Sequence, residues 1–156
     1  MIKRRQVRET VLKAIYAYQL SKDTTQHIVD TLIKKEEFAK DKELRRFAEK
    51  LFFRTLEHEE ELDEVIIDHI KNWDIQRLAL IDRLILKMAI CELLYFEEIP
   101  TKVSINEAIE ISKRYSTAKS GRFINGILDA ALTDLNESGR INKKGRGLIQ
   151  KTLGSQ

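Results

Sequence analysis

The 156-residue chain has one cysteine, one proline and no long apolar run that is free of charge. A single cysteine excludes an internal disulfide, and the apolar neighbours of Cys91 indicate a small core residue rather than a nucleophile. The most apolar stretch, residues 78–96, is interrupted by four charged residues, which excludes an ordinary membrane span. The N-terminus also lacks the apolar segment of a signal peptide. We therefore expect a cytoplasmic protein that does not enter the membrane.

The sequence also lacks a set of residues that would assemble a reaction. His58 and Glu59 begin the zinc-protease pattern H-E-x-x-H, but Leu62 occupies the position of the second histidine. The glycines of residues 139–147 lack the spacing of a phosphate-binding loop. We therefore expect a binding protein without catalytic residues, metal ligands or a cofactor, and not an enzyme.

Helical periodicity recurs along the whole chain, and strand alternation is nowhere sustained. A hydrophobic fraction of 42% with 34% charged residues, and few prolines and glycines, is typical of a soluble helical protein. The pattern predicts an all-α single domain over residues 1–136 and a basic, flexible tail over residues 137–156. The helix of residues 78–96 is apolar almost all the way round, so we expect it to be the buried central helix.

Three local patterns predict where helices begin and how far they extend. Continuous helical spacing from about Asp41 to Ile70 predicts one long helix. Asp74 is a suitable N-cap before the central helix. Ser104 and Glu107 match the capping box S-x-x-E, which predicts a helix start at Ser104.

The net charge of +3 is unevenly distributed along the chain. Residues 1–20 and 137–156 each carry +4, residues 102–122 carry +3, and the remainder carries −8. Basic ends on an acidic middle favour a polyanionic partner such as nucleic acid, although basic termini also serve as solubilising tails.

The first helix combines an apolar face with a second, cation-rich face. The second face spans an arc of roughly 80° at helical spacing and contains Arg5, Arg8, Leu12, Tyr16 and Gln19. The helix also begins with four cations, Lys3, Arg4, Arg5 and Arg8. Cations in the first turn oppose the helix dipole, and an anionic ligand would explain them. We expect this arginine-rich start to hold RNA phosphates.

Two amphipathic helices between Val103 and Leu132 flank a short basic break. The polar residues along their margins are Asn106, Lys113, Lys119, Arg122 and Asn125. Phe123 lies at the edge of the apolar face of the last helix, next to Lys119, Arg122 and Gly126. This arrangement suits a nucleobase stacked on the ring with its phosphate held nearby. Spacing alone leaves open the alternative that Phe123 packs at the rim of the core.

Three segments resemble the bacterial transcription antitermination factor NusB family. They are "RRQVRETVLKAIYAYQL", "IDRLILKMAICEL" and "IPTKVSINEAIEISKRYSTAKSGRFINGILD". The resemblance implies a helical fold of two packed bundles with about seven helices. It also implies a heterodimer with NusE, a small-subunit ribosomal protein. Together the two would bind the boxA element of ribosomal RNA leader transcripts as single-stranded RNA and modify RNA polymerase so that it reads through terminators.

Carried onto this chain, the resemblance assigns RNA contacts to the arginine-rich start and to Phe123. It assigns the surface that faces NusE to Tyr16 and Asp82. Many relatives carry an acidic residue where this chain has Lys119, a difference that affects either phosphate contact or the NusE boundary. A helical protein-interaction module without specific RNA recognition is the alternative function. Whether the free protein forms a homodimer is also open.

Overall fold

The computed structural model describes residues 2–70 and 78–148, with side chains from Arg4 onward. Seven α-helices lie in these ranges: α1 (Ile2–Leu20), α2 (Thr25–Ile28), α3 (Lys42–Glu57), α4 (Glu59–Asp68), α5 (Leu80–Tyr95), α6 (Thr101–Tyr115) and α7 (Ala118–Glu137). A π-helical segment, Val29–Ile33, and two 3₁₀ turns, Glu37–Lys40 and Gly145–Leu148, also lie in the described ranges. No strand occurs in the described residues, and the predicted all-α fold is confirmed.

The chain divides into two compact units, an N-terminal unit, Met1–Glu57, and a C-terminal unit, His58–Gln156. In the N-terminal unit, α1 packs against α3 and the π-helical segment. The core face of α1 is as predicted, with Val7, Val11 and Ala14 fully buried. Asp41 starts α3, because its Oδ1 accepts hydrogen bonds from the backbone N–H groups of Glu43 and Leu44, as expected of an N-cap residue.

In the C-terminal unit, α5 is the helix that α4, α6 and α7 all contact. The predicted burial of its apolar residues is confirmed, with exposures of 3% or less for Leu84, Leu86, Ala89, Ile90 and Leu93. Cys91 is buried among them. Of the helices in the described ranges, none has the length and apolar character needed to cross a membrane.

The long helix predicted from Asp41 to Ile70 is wrong, because a turn at His58 divides it into α3 and α4. His58 has φ −108° and ψ 24°, outside helical geometry. Its ring stacks on Tyr95 of α5 with centroids 4.2 Å apart. No glycine or proline marks this break in the sequence. It coincides with a contact between His58 and a residue 37 positions further along the chain. The predicted N-cap Asp74 lies outside the described residues.

The predicted capping box at Ser104 is also wrong, because α6 begins three residues earlier at Thr101. Pro100 is the N-cap residue and its carbonyl oxygen accepts hydrogen bonds from the backbone N–H groups of Val103 and Ser104. The Ser104 side chain is buried and donates instead to Glu92 Oε1 of α5, at 2.7 Å. The Ser104 side chain therefore forms a hydrogen bond between α6 and α5 and does not cap a helix.

The segment after α7 was predicted to be a flexible tail, yet residues 140–148 are held against the C-terminal end of α5. Lys143 Nζ donates to the carbonyl oxygens of Glu92 and Phe96, at 2.9 and 2.6 Å. The carbonyls at a helix C-terminus carry partial negative charge, which favours a cation there. Gly147 packs so closely that an added Cβ would lie 2.0 Å from the carbonyl oxygen of Glu97. Residues 149–156 lie outside the described part of the chain.

Candidate nucleic-acid interface

The α6–α7 pair of the C-terminal unit carries six of the ten residues predicted to contact RNA. The two helices pack on each other and on α5. Gly121 lies on the side of α7 that faces α6, since an added Cβ would be 3.6 Å from Ser112 Oγ and 3.8 Å from Ile109 Cγ2. The outer face of α7 is the exposed side of the helix that carries Lys119, Arg122, Gly126, Asp129 and Thr133.

Phe123 lies at one edge of that outer face, and its side chain is half-buried. Lys119 and Arg122 are exposed and follow Phe123 round the helix, at about 40° and 100° by helical spacing. An aromatic ring, two cations and their intervening surface thus lie within little more than a quarter of the circumference. The structure places all three residues on α7 and leaves both cations exposed.

The three remaining predicted residues of this helix pair are exposed. Asn125 is about 160° round α7 from Phe123 and about 40° from Gly121, so it belongs to the side next to α6. Asn106 and Lys113 share one stripe of α6, two turns apart. Lys113 Nζ also pairs with Glu110 Oε1 at 3.1 Å, an exposed pair that contributes little stability.

Gly126 lies on the outer face of α7, one turn after Phe123, and an added Cβ there would have no described residue within 4 Å. Its φ is not positive, unlike those of Gly139 and Gly145. A glycine inside a helix costs about 1 kcal/mol relative to alanine. Neither packing nor backbone conformation in the described residues accounts for that cost. An isolated glycine within a helical pattern is the sequence feature that marks such a position.

Asp82, predicted to face NusE, is only 7% exposed. Its Oδ2 accepts a hydrogen bond from Ser120 Oγ at 2.8 Å, and Ser120 Oγ lies 2.9 Å from Ser116 Oγ and 3.1 Å from Thr117 Oγ1. Thr117 is the N-cap of α7. Through this hydrogen bond Asp82 ties the first turn of α7 to α5.

The arginine-rich start lies in the N-terminal unit, and its cations are not equally exposed. Arg5 is exposed, whereas Arg4 is half-buried with its guanidinium carbon 4.4 Å from the centroid of the Phe47 ring. Arg8 is only 4% exposed and lies 5.1 Å from the same centroid. The side chain of Lys3 lies outside the described residues. Cation–π packing thus holds two of the predicted phosphate ligands against α3.

Tyr16 is 37% exposed on α1, and Leu20, one turn further on, is exposed as well. Of the other members of the predicted second face, Arg5 is exposed and Gln19 is half-buried, whereas Arg8 and Leu12 are buried. Buried residues therefore interrupt the face that helical spacing predicts as continuous.

A polar cluster between α4 and α5 was missed from the sequence. Lys87 Nζ lies 2.9 Å from Glu59 Oε1 and 3.0 Å from Asp63 Oδ1. The Tyr95 hydroxyl donates to Glu61, and burial together with that hydrogen bond raises the pKa of Tyr95 to about 12. No group of three His, Cys, Asp or Glu side chains in the described ranges is placed to hold a metal ion.

His69 joins α4 to α7 through both ring nitrogens. Nδ1 lies 2.8 Å from the carbonyl oxygen of Val65, and Nε2 lies 2.5 Å from Asp134 Oδ2. Both neighbours are acceptors, so only the doubly protonated ring donates to both. Burial opposes this charge, but the two hydrogen bonds and the negative charges of Asp134 and Asp68 outweigh it and raise the pKa of His69 above its ordinary value.

We expect His69 to make unfolding stability dependent on pH. A raised folded-state pKa adds stability below about pH 6.5, and that contribution is lost as the pH rises through the folded-state pKa. Because Asp134 is 64% exposed, the effect should stay below about 1 kcal/mol. Urea unfolding of the wild type and of His69→Gln from pH 5.5 to 9 measures this contribution. The wild type should have the larger free energy of unfolding at low pH, and the difference should disappear at alkaline pH. A difference that does not change with pH would contradict the charged pair.

The described residues define an all-helical protein in which one side of α7 carries an aromatic ring and two exposed cations. The chain belongs to the NusB family, which matches residues 5–133. It is similar to the transcription antitermination protein NusB of Salinibacter ruber, with 50% identity over 149 residues, 96% of this chain and 92% of that protein. The family is one of transcription antitermination factors and not of enzymes.

Solved structures agree with this assignment. The chain is similar to T. maritima NusB, with 33% identity, a TM-score of 0.76 and coverage of 84% of this chain and 91% of that one. It is also similar to a chain in a crystal structure of the antitermination factors NusB and NusE with double-stranded RNA. That match has 25% identity, a TM-score of 0.75 and coverage of 86% and 98%.

Proposed function

We propose that this protein is a cytoplasmic RNA-binding antitermination factor that acts with NusE. The pair binds boxA-type single-stranded RNA in ribosomal RNA leader transcripts. Within an antitermination complex on RNA polymerase, it promotes readthrough of terminators. Membership of the NusB family supports the antitermination role, and the solved complex of NusB and NusE with double-stranded RNA supports the partnership with NusE and the binding of RNA.

The outer face of α7 is the observation that carries the RNA part of this proposal. Sequence-specific proteins read RNA mainly in single strands, where unstacked bases lie on aromatic rings. Phe123 provides such a ring at a half-buried edge, and the exposed Lys119 and Arg122 provide charge for the adjoining phosphates. Lys119 is therefore a phosphate ligand in this proposal. Asn106, Lys113 and Asn125 extend the polar surface next to α6, where they contact the strand beyond the stacked base.

Tyr16 is the residue that we propose for NusE contact, because it is an exposed aromatic next to the exposed Leu20. Asp82 contributes indirectly, by holding the start of α7 through Ser120. Aromatic side chains with a polar tip are common at the centres of protein interfaces. Tyr16→Asp should therefore weaken NusE association while RNA binding by the protein alone stays unchanged.

A reconstituted transcription reaction tests the proposed function. With NusE present, the protein should increase readthrough of a terminator placed downstream of boxA. A matched template with a base-permuted boxA should show no such increase. Equal readthrough on both templates would contradict the proposal.

We expect Arg5 to contribute affinity that does not depend on RNA sequence. Arg5→Ala removes an exposed cation, so it should weaken boxA and permuted RNA alike and flatten the plot of log affinity against log salt by about 0.7. Arg46 on α3 is also exposed, and Arg46→Ala serves as the matched control. Fluorescence anisotropy at several salt concentrations measures both slopes. If the Arg5→Ala slope equals that of the wild type, Arg5 does not contact phosphate.

A further inference from the structure

Gly126 occupies the one place on the outer face where a side chain would cover the surface next to Phe123. Helical side chains lean toward the N-terminus and cover the turn before their own Cα. A side chain at position 126 would therefore lie over Phe123 and Arg122, three and four residues earlier. With glycine, position 126 contributes no side chain over that surface, and no atom of the described residues lies within 4 Å of where its Cβ would be.

The glycine is not explained by the fold of the described residues. Gly121 differs, because α6 approaches it closely, and Gly147 differs, because a backbone carbonyl oxygen lies where its Cβ would be. Gly126 has neither neighbour and no positive φ. Alanine at this position would favour the helix without a steric clash. A helix that keeps glycine there gives up stability, and the adjoining ring and cations indicate what the open space accommodates.

We propose that Gly126 is a clearance position that admits an unstacked nucleobase of single-stranded RNA onto the Phe123 ring. The inference rests on the proposed function and adds a residue that determines how large a group the site accepts. The base lies over the turn that contains Arg122 and Phe123, and its phosphate is within reach of Lys119 or Arg122. Gly126 contributes no contact of its own; its missing side chain defines the site.

Two substitutions with good helix propensity, Gly126→Ala and Gly126→Gln, test the inference in the full-length protein. Both should preserve the fold, and Gly126→Ala should raise the melting temperature by about 2–4 °C. The affinity for a boxA-like single-stranded RNA should fall about threefold for Gly126→Ala and about tenfold or more for Gly126→Gln. Stability and affinity thus change in opposite directions, which a purely structural role does not produce.

Two controls separate the possible results. Thr133→Gln places the same side chain on the outer face about 10 Å further along α7, and it should leave RNA affinity unchanged. Phe123→Ala reports on the ring itself. If Gly126→Gln binds RNA as tightly as the wild type while Phe123→Ala loses affinity, the clearance role is wrong and the proposed RNA site stands. If the wild type does not bind the RNA at all, the proposed function fails as well.

Discussion

Replacing Phe123 with alanine should lower boxA affinity by about 10- to 100-fold and leave most of the stability of the protein intact. Stacking of one base on an aromatic ring contributes roughly 1–3 kcal/mol by alanine substitution. Each 1.4 kcal/mol corresponds to about a factor of ten in affinity. Truncating a fully buried phenylalanine costs the fold about 3–5 kcal/mol. Because Phe123 is only half-buried, its removal should cost the fold less than that.

The matched control for this substitution is Phe53→Ala. Phe53 is also half-buried but lies on α3 in the N-terminal unit, where its ring contacts Phe52 edge to face. Phe53→Ala should lower the stability of the protein and leave its RNA affinity unchanged. If Phe123→Ala instead unfolds the protein while the remaining folded fraction binds RNA normally, Phe123 is a core residue. The RNA surface then lies mainly on α1.

Lys87→Ala should lower the free energy of unfolding by about 3 kcal/mol, or roughly 6–12 °C in melting temperature. The side chain is 2% exposed, and its ammonium group lies between Glu59 and Asp63 of α4. Removing it leaves a cavity beside α5 and leaves two carboxylates without their cation. Both carboxylates are partly exposed, so water compensates for part of the lost pairing, and the expected loss is at the lower end for a buried pair.

Lys87→Met separates packing from charge, because methionine keeps most of the buried volume without the ammonium group. We expect it to lose less than half as much stability as Lys87→Ala. Thermal unfolding followed by circular dichroism measures both variants. A melting temperature for Lys87→Ala within 2 °C of the wild type would show that this lysine does not hold α4 on α5.

The sequence was sufficient to predict the helical fold and the central helix. The apolar residues of α5 continue almost all the way round, and only a helix surrounded by other helices can bury such a surface. The core face of α1 could be predicted equally well, since the buried residues Val7, Val11 and Ala14 recur at helical spacing. These features depend on local periodicity, which is what a single sequence contains.

Features that depend on distant contacts were not predictable. His58 interrupts a continuous helical pattern while stacked on Tyr95, and Ser104 bonds to Glu92 although it matches a capping box. The basic segment after α7 has the composition of a tail, yet Lys143 binds the carbonyl oxygens at the end of α5. In each case the partner lies at least 12 residues away in sequence.

The candidate site was predicted in part for the same reason. Phe123, Lys119 and Arg122 are close together on one helix, so helical spacing was enough to group them. The burial of Arg8 against Phe47 and of Asp82 beside Ser120 depends on neighbouring helices. A charged residue at helical spacing does not by itself show whether it faces water or another helix.

The most direct test of this account is the affinity of the full-length protein for boxA RNA and for a base-permuted RNA of the same length. It should be measured with and without NusE at two salt concentrations. We predict tighter binding to boxA, a further gain for boxA when NusE is present, and weaker binding of both RNAs at the higher salt concentration. Equal affinities for the two RNAs, with and without NusE, would contradict the proposed function.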